Sequence, residues 1–513
     1  MFKDVPAKVD FIAQEHEVLE FWEETSAWEK RRDLNRGKER WSFIDGPITA
    51  NNPMGVHHAW GRTYKDLFHR YRAMRGHDIR YQNGFDCQGL WIEVEVEKEL
   101  GFKSKRDIES YGIGPFVNLC KRRVLKYAAV QTEQSMRLGF WMDWNDPDQL
   151  RWLERKMAED PQQTITVDGP LGPVTATVEQ IVGRLGLPEL GGSYFTFSDE
   201  NNYCIWTALK KCYEKGWIYK GHDVMPWCAR CGTGISQHEI VTEGYQELTH
   251  PSIFLRFPLR NRDGESLLVW TTTPWTLTSN VAAAVHPELP YVLVQNGEHK
   301  FWLSKGAMYS ALQGEYTILD EKPGVELEGW TYDGPFDDLP AQQAVQESLG
   351  VSSVQAHRVI LWDEVGETEG TGIVHIAPGC GAEDFQLSKE YNLPVIAPLD
   401  EFGVYQDGFA WLTGMSVNDV TQPIFEDLRR KGLVYRIEDY THRYPVCWRC
   451  GQELIFRLVD EWFINMGEKL DKPYEEVTPE EKENNLRYQI MEVVQETRWS
   501  PEFGFEREMD WLR

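Results

Sequence analysis

Two pairs of closely spaced cysteines constrain the fold of this 513-residue chain more than any other feature. Cys228 and Cys231 lie in the stretch WCARCG, and Cys447 and Cys450 lie in CWRCG. Each pair supplies two of the four thiolates that a tetrahedral zinc ion needs. Because the two connecting segments of an inserted domain must run side by side, we expect one shared four-cysteine zinc site at the base of an insertion. Two unrelated redox or buried pairs are the alternative, but a thioredoxin-like strand–helix–strand setting is missing around them.

The stretch between the cysteine pairs, from about 246 to 437, is rich in short β-strands. Glycine, proline and aspartate turns separate the predicted strands, which are SIFLRFPL, SLLVWTTTPW, YVLVQ, YTILD, HRVILWDEV and TGIVHIAP. An all-β block of this length inside an α/β chain predicts an inserted β-barrel domain.

The N-terminal part has the pattern of a parallel sheet. WSFID (41–45) reads as a strand, the spacing of aromatic residues predicts a helix from Trp60 to about Met74, and DIRYQNGFD reads as a second strand that ends at Asp86. Strand, helix, strand is the unit of parallel α/β folds, in which ligands bind at the carboxyl ends of the strands. The pattern of the sequence changes over 147–192, which has its own turns and strand-like pieces, and we interpret this segment as a small insertion.

The loop between the first strand and the helix carries candidate binding residues. Gly46 and Pro47 open the stretch, and His57 and His58 stand at the start of the helix, where free N–H groups suit a phosphate chain. A carboxylate close by, Asp86, could hold the ammonium group of an amino acid. The alternative for the two histidines is a hydrogen-bonded structural role.

Charge and composition exclude several classes of protein. A formal net charge of −27 argues against sequence-blind nucleic-acid binding, although it leaves a local basic path open. Nine cysteines, odd in number and mostly scattered, do not make a secreted disulfide framework. The sequence has neither a run of 18 apolar residues nor a signal peptide, so we expect a cytoplasmic protein that does not enter membranes.

Four stretches in order carry a resemblance to a known family: GPITANNPMGVHH, GFDCQGLWIEVEVEKELG, WTTTPWTLTSN and GTGIVHIAPGCGAEDF. Together they resemble the class I aminoacyl-tRNA synthetases, and most closely the isoleucine enzymes. Those enzymes have DCHG where this chain has Asp86-Cys87-Gln88-Gly89, whereas the valine and leucine enzymes have TDHAG and DAFG. The resemblance implies a Rossmann-like catalytic domain that binds ATP, with magnesium as part of the substrate complex.

The family's ATP-binding signature, His-x-Gly-His, falls on residues 55–58. His58 keeps the second histidine, whereas Gly55 replaces the first and His57 replaces the inner glycine. The resemblance also implies that Gly46 and Pro47 line the amino-acid pocket and that Asp86 binds the substrate ammonium.

The β-rich block would be the editing domain, which hydrolyses the ester of a wrongly attached amino acid. Such a second site is needed because one methylene is worth only about 1–3 kcal/mol in a binding pocket, and isoleucine against valine is the well-known instance. The resemblance places this hydrolysis on Thr271, Thr272, Thr273, Asn280, His375 and Asp384.

The resemblance predicts the N-terminal part of a longer isoleucine–tRNA ligase that acts on isoleucine, ATP and tRNA(Ile), monomeric when complete. The lysine-rich KMSKS loop and the anticodon-binding domain are absent from the sequence, so we expect no synthesis by this chain alone. A trans-acting hydrolase of mischarged tRNA, a non-catalytic tRNA-binding relic and a valine- or leucine-type synthetase are the alternatives. The expected domains are a helical segment (1–45), the first catalytic half (46–220), two zinc stems (221–245 and 438–456), the editing block (246–437) and a truncated return to the catalytic domain (457–513).

Overall fold

The computed structural model describes residues 8–43, 45–237, 239–240 and 244–513. The chain divides into two compact units, 1–211 and 212–513. Strands of the first unit are β1 (Arg40–Ser42), β2 (Ile48–Thr49), β3 (Asp78–Arg80), β4 (Gly84–Asp86), β5 (Thr164–Gly169), β6 (Gly172–Thr177) and β7 (Tyr194–Phe195). Its helices are Phe11–Glu24, Ala27–Asp33, Val56–Met74, Leu90–Leu100, Lys105–Tyr111, Ile113–Arg137, Pro147–Glu159 and Val178–Val182, and the helix Asp199–Glu214 crosses the boundary between the units.

The second unit is dominated by strands. They are β8 (Ile218–Cys228), β9 (Thr233–Gly234), β10 (Tyr245–Pro258), β11 (Glu265–Thr271), β12 (Ala282–Val285), β13 (Pro290–Asn296), β14 (His299–Ser304), β15 (Tyr316–Pro323), β16 (Arg358–Leu361), β17 (Val374–Ile376), β18 (Val434–Pro445) and β19 (Ile455–Ile464). The helices are Met308–Ala311, Pro340–Gln343, Ser353–Ala356, Ala382–Tyr391, Thr421–Arg430, Pro479–Glu483, Leu486–Glu496 and Phe503–Leu512. Short 3₁₀ helices span Pro274–Ser279, Gly324–Leu327, Ala410–Leu412, Val417–Asp419 and Tyr474–Glu476.

The predicted strand, helix, strand unit is present in the first unit, but DIRYQNGFD forms two short strands, β3 and β4, where one was expected, and they belong to different sheets. β2 pairs in parallel with β4, β4 with β7, and β1 with β3. The helix between β2 and β3 starts at Val56, four residues before the predicted Trp60, because Gly55 is extended and the chain turns helical directly after it. His57 and His58 therefore lie in its first turn. The helix ends at Met74, two residues before Gly76, which has a φ of +94°.

The segment 147–192 joins the core of the first unit. β5 and β6 form an antiparallel hairpin, and its inward side chains Ile165 and Val167 are buried together with Phe85 and Ile92 of the parallel part. The sequence indicated an insertion with strand-like pieces, and the hairpin matches those pieces.

The β-rich block forms two sheets. One has the strand order β15-β13-β14-β11-β10-β18, and the other has β16-β12-β17. All six predicted strands are found, while β12, β14 and β18 were not anticipated. The alanine-rich run Ala282–Val285 has little intrinsic strand preference, and its four residues become a strand because they are completely buried between β16 and β17. The closed barrel stays a prediction.

Two antiparallel ladders connect the block to the flanking chain. β10 pairs with β18 from Tyr245 opposite Pro445 to Leu255 opposite Val434. β8 pairs with β19 from Ile218 opposite Ile464 to Trp227 opposite Ile455. The expectation that the chain entering the block and the chain leaving it run side by side is therefore correct.

None of the helices in the described ranges is long and apolar enough to cross a membrane.

Candidate functional site

The four cysteines come together at the end of the β8–β19 ladder. Cys228 is the last residue of β8, Cys231 follows in the turn, and Cys447 and Cys450 lie in the turn between β18 and β19. Their sulfur atoms all lie within 4.8 Å of one another, and Cys228 Sγ is 3.5 Å from Cys450 Sγ. Three of the four side chains are buried.

This donor set fits zinc. With Zn–S bonds of about 2.3 Å, a tetrahedral site places sulfurs about 3.8 Å apart, close to the spacing in the cluster. The four thiols hydrogen-bond to one another, and the hydrogen bonds from Cys228 and Cys231 lower the pKa of Cys447. The turn that carries Cys447 and Cys450 is also tied to one carboxylate, since Trp448 Nε1 and Arg449 Nη2 both donate to Glu239 Oε1, at 3.0 and 2.6 Å.

The main candidate site of the second unit is a cavity of about 420 Å³ at the end of β11. Five of the six residues expected to carry editing line it: Thr271, Thr272, Thr273, His375 and Asp384. The walls also include Trp270, Trp275, Thr276, Trp362, Glu364, Glu369, Cys380, Tyr444 and Phe456. Residues more than 100 positions apart in the sequence thus meet around one space.

The threonines are presented by a strand that turns sharply. β11 ends at Thr271, whose Oγ1 accepts a hydrogen bond from the Thr273 N–H at 3.0 Å, and the 3₁₀ turn Pro274–Ser279 follows. Proline at the first position of the turn has a suitable φ and has no N–H to satisfy. Within the turn, Thr276 Oγ1 donates to the Thr273 carbonyl at 2.8 Å and lies 2.8 Å from His375 Nε2.

These contacts assign the tautomer of His375. The Thr276 hydroxyl has one proton, and the Thr273 carbonyl can only accept it, so His375 Nε2 must carry a proton and donate to Thr276. Nδ1 is then the basic nitrogen, and it has no partner among the described residues. Burial lowers the pKa of His375 to about 4, so the ring is neutral at physiological pH.

Asp384 lies in the first turn of the helix Ala382–Tyr391. Its Oδ2 accepts from the Ala377 N–H at 2.7 Å. Burial raises the pKa of Asp384 to about 6, with a smaller contribution from Glu383, while the Ala377 hydrogen bond opposes the rise. The side chain is therefore mostly a carboxylate at pH 7, and it is the natural partner of an ammonium group in this cavity.

Asn280, the sixth expected residue, does not line the cavity. It is fully buried, its Nδ2 donates to the Ala282 carbonyl at 2.9 Å, and its Oδ1 accepts from Tyr332 at 2.8 Å. The structure therefore places Asn280 behind the cavity wall, in the scaffold of the turn.

Thr276 and the aromatic walls were missed by sequence reasoning. Thr276 stands in the same TTTPWT run as the expected threonines, so its contact with His375 follows a signal that was present. Trp362, Tyr444 and Phe456 carried no comparable signal, because only long-range pairing brings them to the cavity.

The histidine pair of the first unit has a different character. His58 Nδ1 accepts from the Gly55 N–H at 3.1 Å, which caps the helix at its own N-terminus. The ring of His57 is exposed and lies 3.9 Å from the ring of His58 between centroids. Partial burial, then the neighbouring His57 and Arg62, lower the pKa of His58.

The other expected binding residues of the first unit lie at strand ends. Asp86 is the last residue of β4, and its carboxylate accepts from the hydroxyls of Thr49 at 2.9 Å and Thr196 at 3.4 Å. The Gly46 carbonyl accepts from Lys65 Nζ at 3.2 Å, and Pro47 is partly exposed beside it.

The arrangement of the cavity suits hydrolysis of an aminoacyl ester. A carboxylate can bind the free ammonium group, and hydroxyls with a neutral imidazole can orient a water molecule against the ester carbon. A metal ion is not required for that chemistry.

Comparisons with known proteins point to one family. The family model described as tRNA synthetases class I (I, L, M and V) matches residues 17–159 and 174–513, and the unmatched stretch falls within the segment 147–192. The isoleucine–tRNA ligase of Streptomyces coelicolor is 35% identical over 467 residues, which cover 90% of this chain and 39% of that protein. The ligase of Pyrococcus horikoshii is 36% identical over 467 residues, with 89% and 39% covered.

A further relative aligns with the whole chain: the isoleucine–tRNA ligase of Streptomyces avermitilis is 34% identical over 523 residues, which cover 100% of this chain and 42% of that protein. The chain thus spans about two fifths of the length of the curated relatives it matches. Among solved structures, a LeuRS–tRNA complex from Agrobacterium radiobacter K84 is 12% identical and superposes with a TM-score of 0.30, over 86% of this chain and 52% of that one. At that score the likeness carries no weight for the fold.

Proposed function

Since the chain belongs to the class I tRNA synthetases of the isoleucine, leucine, methionine and valine group, we propose that it is part of an isoleucine–tRNA ligase. The whole protein would activate isoleucine with ATP and transfer it to tRNA(Ile). The chain described here would hold the editing site, which hydrolyses valyl-tRNA(Ile), together with the first half of the synthetic site.

One observation carries the editing part of the proposal. Thr271, Thr272, Thr273, His375 and Asp384 line a single cavity of about 420 Å³. Side chains capable of binding an ammonium group and of orienting water are thus concentrated where an ester could enter.

Each group has a role in the proposed hydrolysis. The Asp384 carboxylate binds the α-ammonium of the misplaced valine, which orients the ester towards the threonine turn. His375 lies in the cavity wall with its Nε2 against Thr276. Its neutral ring orients the groups around it and, with a pKa of about 4, is too weak a base to deprotonate a water molecule fully before attack. The threonine hydroxyls donate to the ester oxygens.

The cysteine cluster has a structural role in this proposal. Cys228, Cys231, Cys447 and Cys450 would hold one zinc ion, whose four thiolate bonds tie the turn after β8 to the turn before β19. Protein ligands would fill all four coordination positions of the ion, which is typical of structural zinc sites and leaves no position for a substrate.

The first unit supplies the proposed binding residues for synthesis. His58, His57 and Gly55 stand at the N-terminus of a 19-residue helix, where N–H groups suit the phosphates of ATP with its magnesium. Asp86, held by two hydroxyls at the end of β4, would bind the ammonium of isoleucine beside Gly46 and Pro47. We propose no step of synthesis on these residues alone.

A second candidate is a hydrolase that clears mischarged tRNA without synthesis. It is favoured by the observation that every residue lining the cavity belongs to the unit 212–513. An antibody blot of the source cells separates the two: a band well above 59.7 kDa supports the ligase, and a band at that mass supports the hydrolase.

The proposal is tested by incubating the purified chain with tRNA(Ile) charged with either valine or isoleucine. We expect faster release of valine than of isoleucine, and loss of the release in His375→Ala. Equal release of both amino acids, or unchanged release in His375→Ala, would contradict the assignment of the cavity. Isoleucine-dependent exchange of pyrophosphate into ATP is expected to be undetectable for this chain.

A further inference from the structure

The turn that carries Thr276 is attached to a buried polar network behind the cavity. The Trp275 carbonyl accepts two hydrogen bonds, from Tyr405 Oη at 2.9 Å and from Thr278 Oγ1 at 2.8 Å. This carbonyl belongs to the peptide group that joins Trp275 to Thr276. The Tyr405 hydroxyl therefore fixes the plane of the peptide from which the Thr276 side chain projects.

Gln342 holds the far end of the same turn. Its Nε2 donates to the Thr278 carbonyl at 2.9 Å and to the Asn280 carbonyl at 3.0 Å. The side chain comes from the short helix Pro340–Gln343 and is 1% exposed. One amide group thus spans the last residues of the 3₁₀ turn and ties them to a different part of the chain.

Neither of these side chains touches the cavity. Tyr405 is 2% exposed, and neither it nor Gln342 is among the residues lining the cavity. Their polar atoms are directed at main-chain carbonyls of the turn, and a buried carbonyl that loses its donor is destabilised. Tyr405 and Gln342 together, called the bracket below, hold the turn Pro274–Ser279 near its middle and at its end.

The bracket acts on the cavity through Thr276. Thr276 accepts the proton of His375 Nε2, and that contact leaves Nδ1 as the basic nitrogen of the ring. If the turn shifts, the Thr276 hydroxyl moves away from His375, and both the orientation and the tautomer of the imidazole become free to change.

We propose that Tyr405 and Gln342 are positioning residues for the hydrolysis: they hold the turn Pro274–Ser279 so that Thr276 fixes His375. The proposal rests on the editing function proposed above. One of the two main-chain carbonyls that Gln342 holds is that of Asn280.

The test compares Tyr405→Phe and Gln342→Met with a matched control. Both substitutions roughly keep the volume of the side chain: Tyr405→Phe removes the hydroxyl, and Gln342→Met removes the amide, whose oxygen has no hydrogen-bond partner among the described residues. Tyr435→Phe serves as the control, because the Tyr435 hydroxyl also makes two hydrogen bonds, to Asn296 at 3.1 Å and from the Gln313 N–H at 2.8 Å, and none of these three residues belongs to the turn or to the cavity lining.

With valyl-tRNA(Ile) as the substrate, we expect kcat to fall about 10- to 100-fold in Tyr405→Phe and Gln342→Met, since small displacements of a catalytic group have effects of that size. KM stays within about twofold, because Asp384, which binds the ammonium, is not attached to the bracket. The control keeps the kcat of the original chain even though its Tm falls. Unchanged kcat in both bracket variants, or the same loss in Tyr435→Phe, would overturn the proposal.

A second measurement does not need hydrolysis. The ¹⁵N chemical shifts of the His375 ring report its tautomer and the hydrogen bond to Thr276, and we expect them to change in both bracket variants and to stay unchanged in the control. Unchanged shifts in the bracket variants overturn the positioning role, whatever the activity. If the original chain releases no valine while the shifts change as expected, the positioning role is supported and the editing function is the part that fails.

Discussion

The cavity of the second unit and the helix N-terminus of the first unit are built in different ways. In the cavity, Thr276, His375 and Asp384 come from three separate elements, and each makes a defined hydrogen bond inside the protein. At the helix N-terminus, His57 and His58 are neighbours in sequence, one is exposed, and the other caps its own helix. The cavity is therefore organised before a substrate arrives. The histidine pair is arranged by contacts within its own helix, the Gly55 N–H bond to His58 and the contact between the two rings.

The largest expected effect concerns the metal, and it should be confined to one region. Substituting Cys228→Ser, or removing metal with a chelator, should reduce zinc from about one ion per chain to none and unfold the turns at the end of the β8–β19 ladder, because structural zinc contributes on the order of 10 kcal/mol to folding. Amide hydrogen exchange should accelerate in β8, β9 and β19 and stay unchanged in β2 and β4. Cys204→Ser, at an exposed cysteine, is the control. A metal-free chain with unchanged exchange would show that the four thiols form no metal site.

The next effect separates binding from scaffold within the cavity. Asp384→Asn keeps the shape but removes the charge that faces the ammonium, and a hydrogen bond to a charged group is worth about 1.5–3 kcal/mol. We expect kcat/KM for release of valine from tRNA(Ile) to fall roughly 10- to 100-fold. Glu390→Gln, at an exposed position on the same helix, should have no effect. A drop of equal size in both variants would mean that loss of negative charge in general, and not the Asp384 contact, controls the rate.

The pH dependence of KM sharpens the same point. The pKa of Asp384 is raised to about 6, so the carboxylate is charged above that pH and neutral below it. The α-ammonium stays protonated in this range, and KM should therefore rise as pH falls through about 6, by up to roughly tenfold per pH unit. Asp384→Asn should remove this rise. A KM that is flat from pH 7 to pH 5 in the original chain would place the ammonium elsewhere.

The smallest effect tests the histidine pair. His58→Ala removes the acceptor of the Gly55 N–H and should lower the free energy of unfolding by about 1 kcal/mol, the usual value of a helix N-cap contact. His57→Ala, at an exposed ring, should change it by less than about 0.5 kcal/mol. Urea unfolding followed by circular dichroism measures both. Equal destabilisation by the two substitutions would contradict the cap described for His58.

The contrast between the regions also explains what the sequence could predict. The parallel unit and the start of a helix near His57 and His58 depend on short-range patterns, and they are present, with the helix starting at Val56. The cysteine cluster was predictable because ligand spacing and the geometry of an insertion both constrain it. The position of Asn280 behind the cavity wall was not predictable, since the same residue type could face either side of the turn. Tyr405 and Gln342 were missed for a related reason. Their role depends on hydrogen bonds to main-chain carbonyls more than 60 residues away. Every residue has such a carbonyl, so no residue type in the sequence indicates which one is bound.

The β10–β18 ladder has a consequence for how the protein is made. Tyr245 pairs with Pro445, so β10 leaves the ribosome 200 residues before its partner strand is synthesised. At typical translation rates of about 5–20 residues per second, one edge of β10 waits unpaired for roughly 10–40 s. Cys228 and Cys231 wait even longer for Cys447 and Cys450, so the four thiols can come together only after the whole block has been synthesised. The cysteine cluster therefore forms late, and it forms only in chains whose β-rich block has already brought its two ends together.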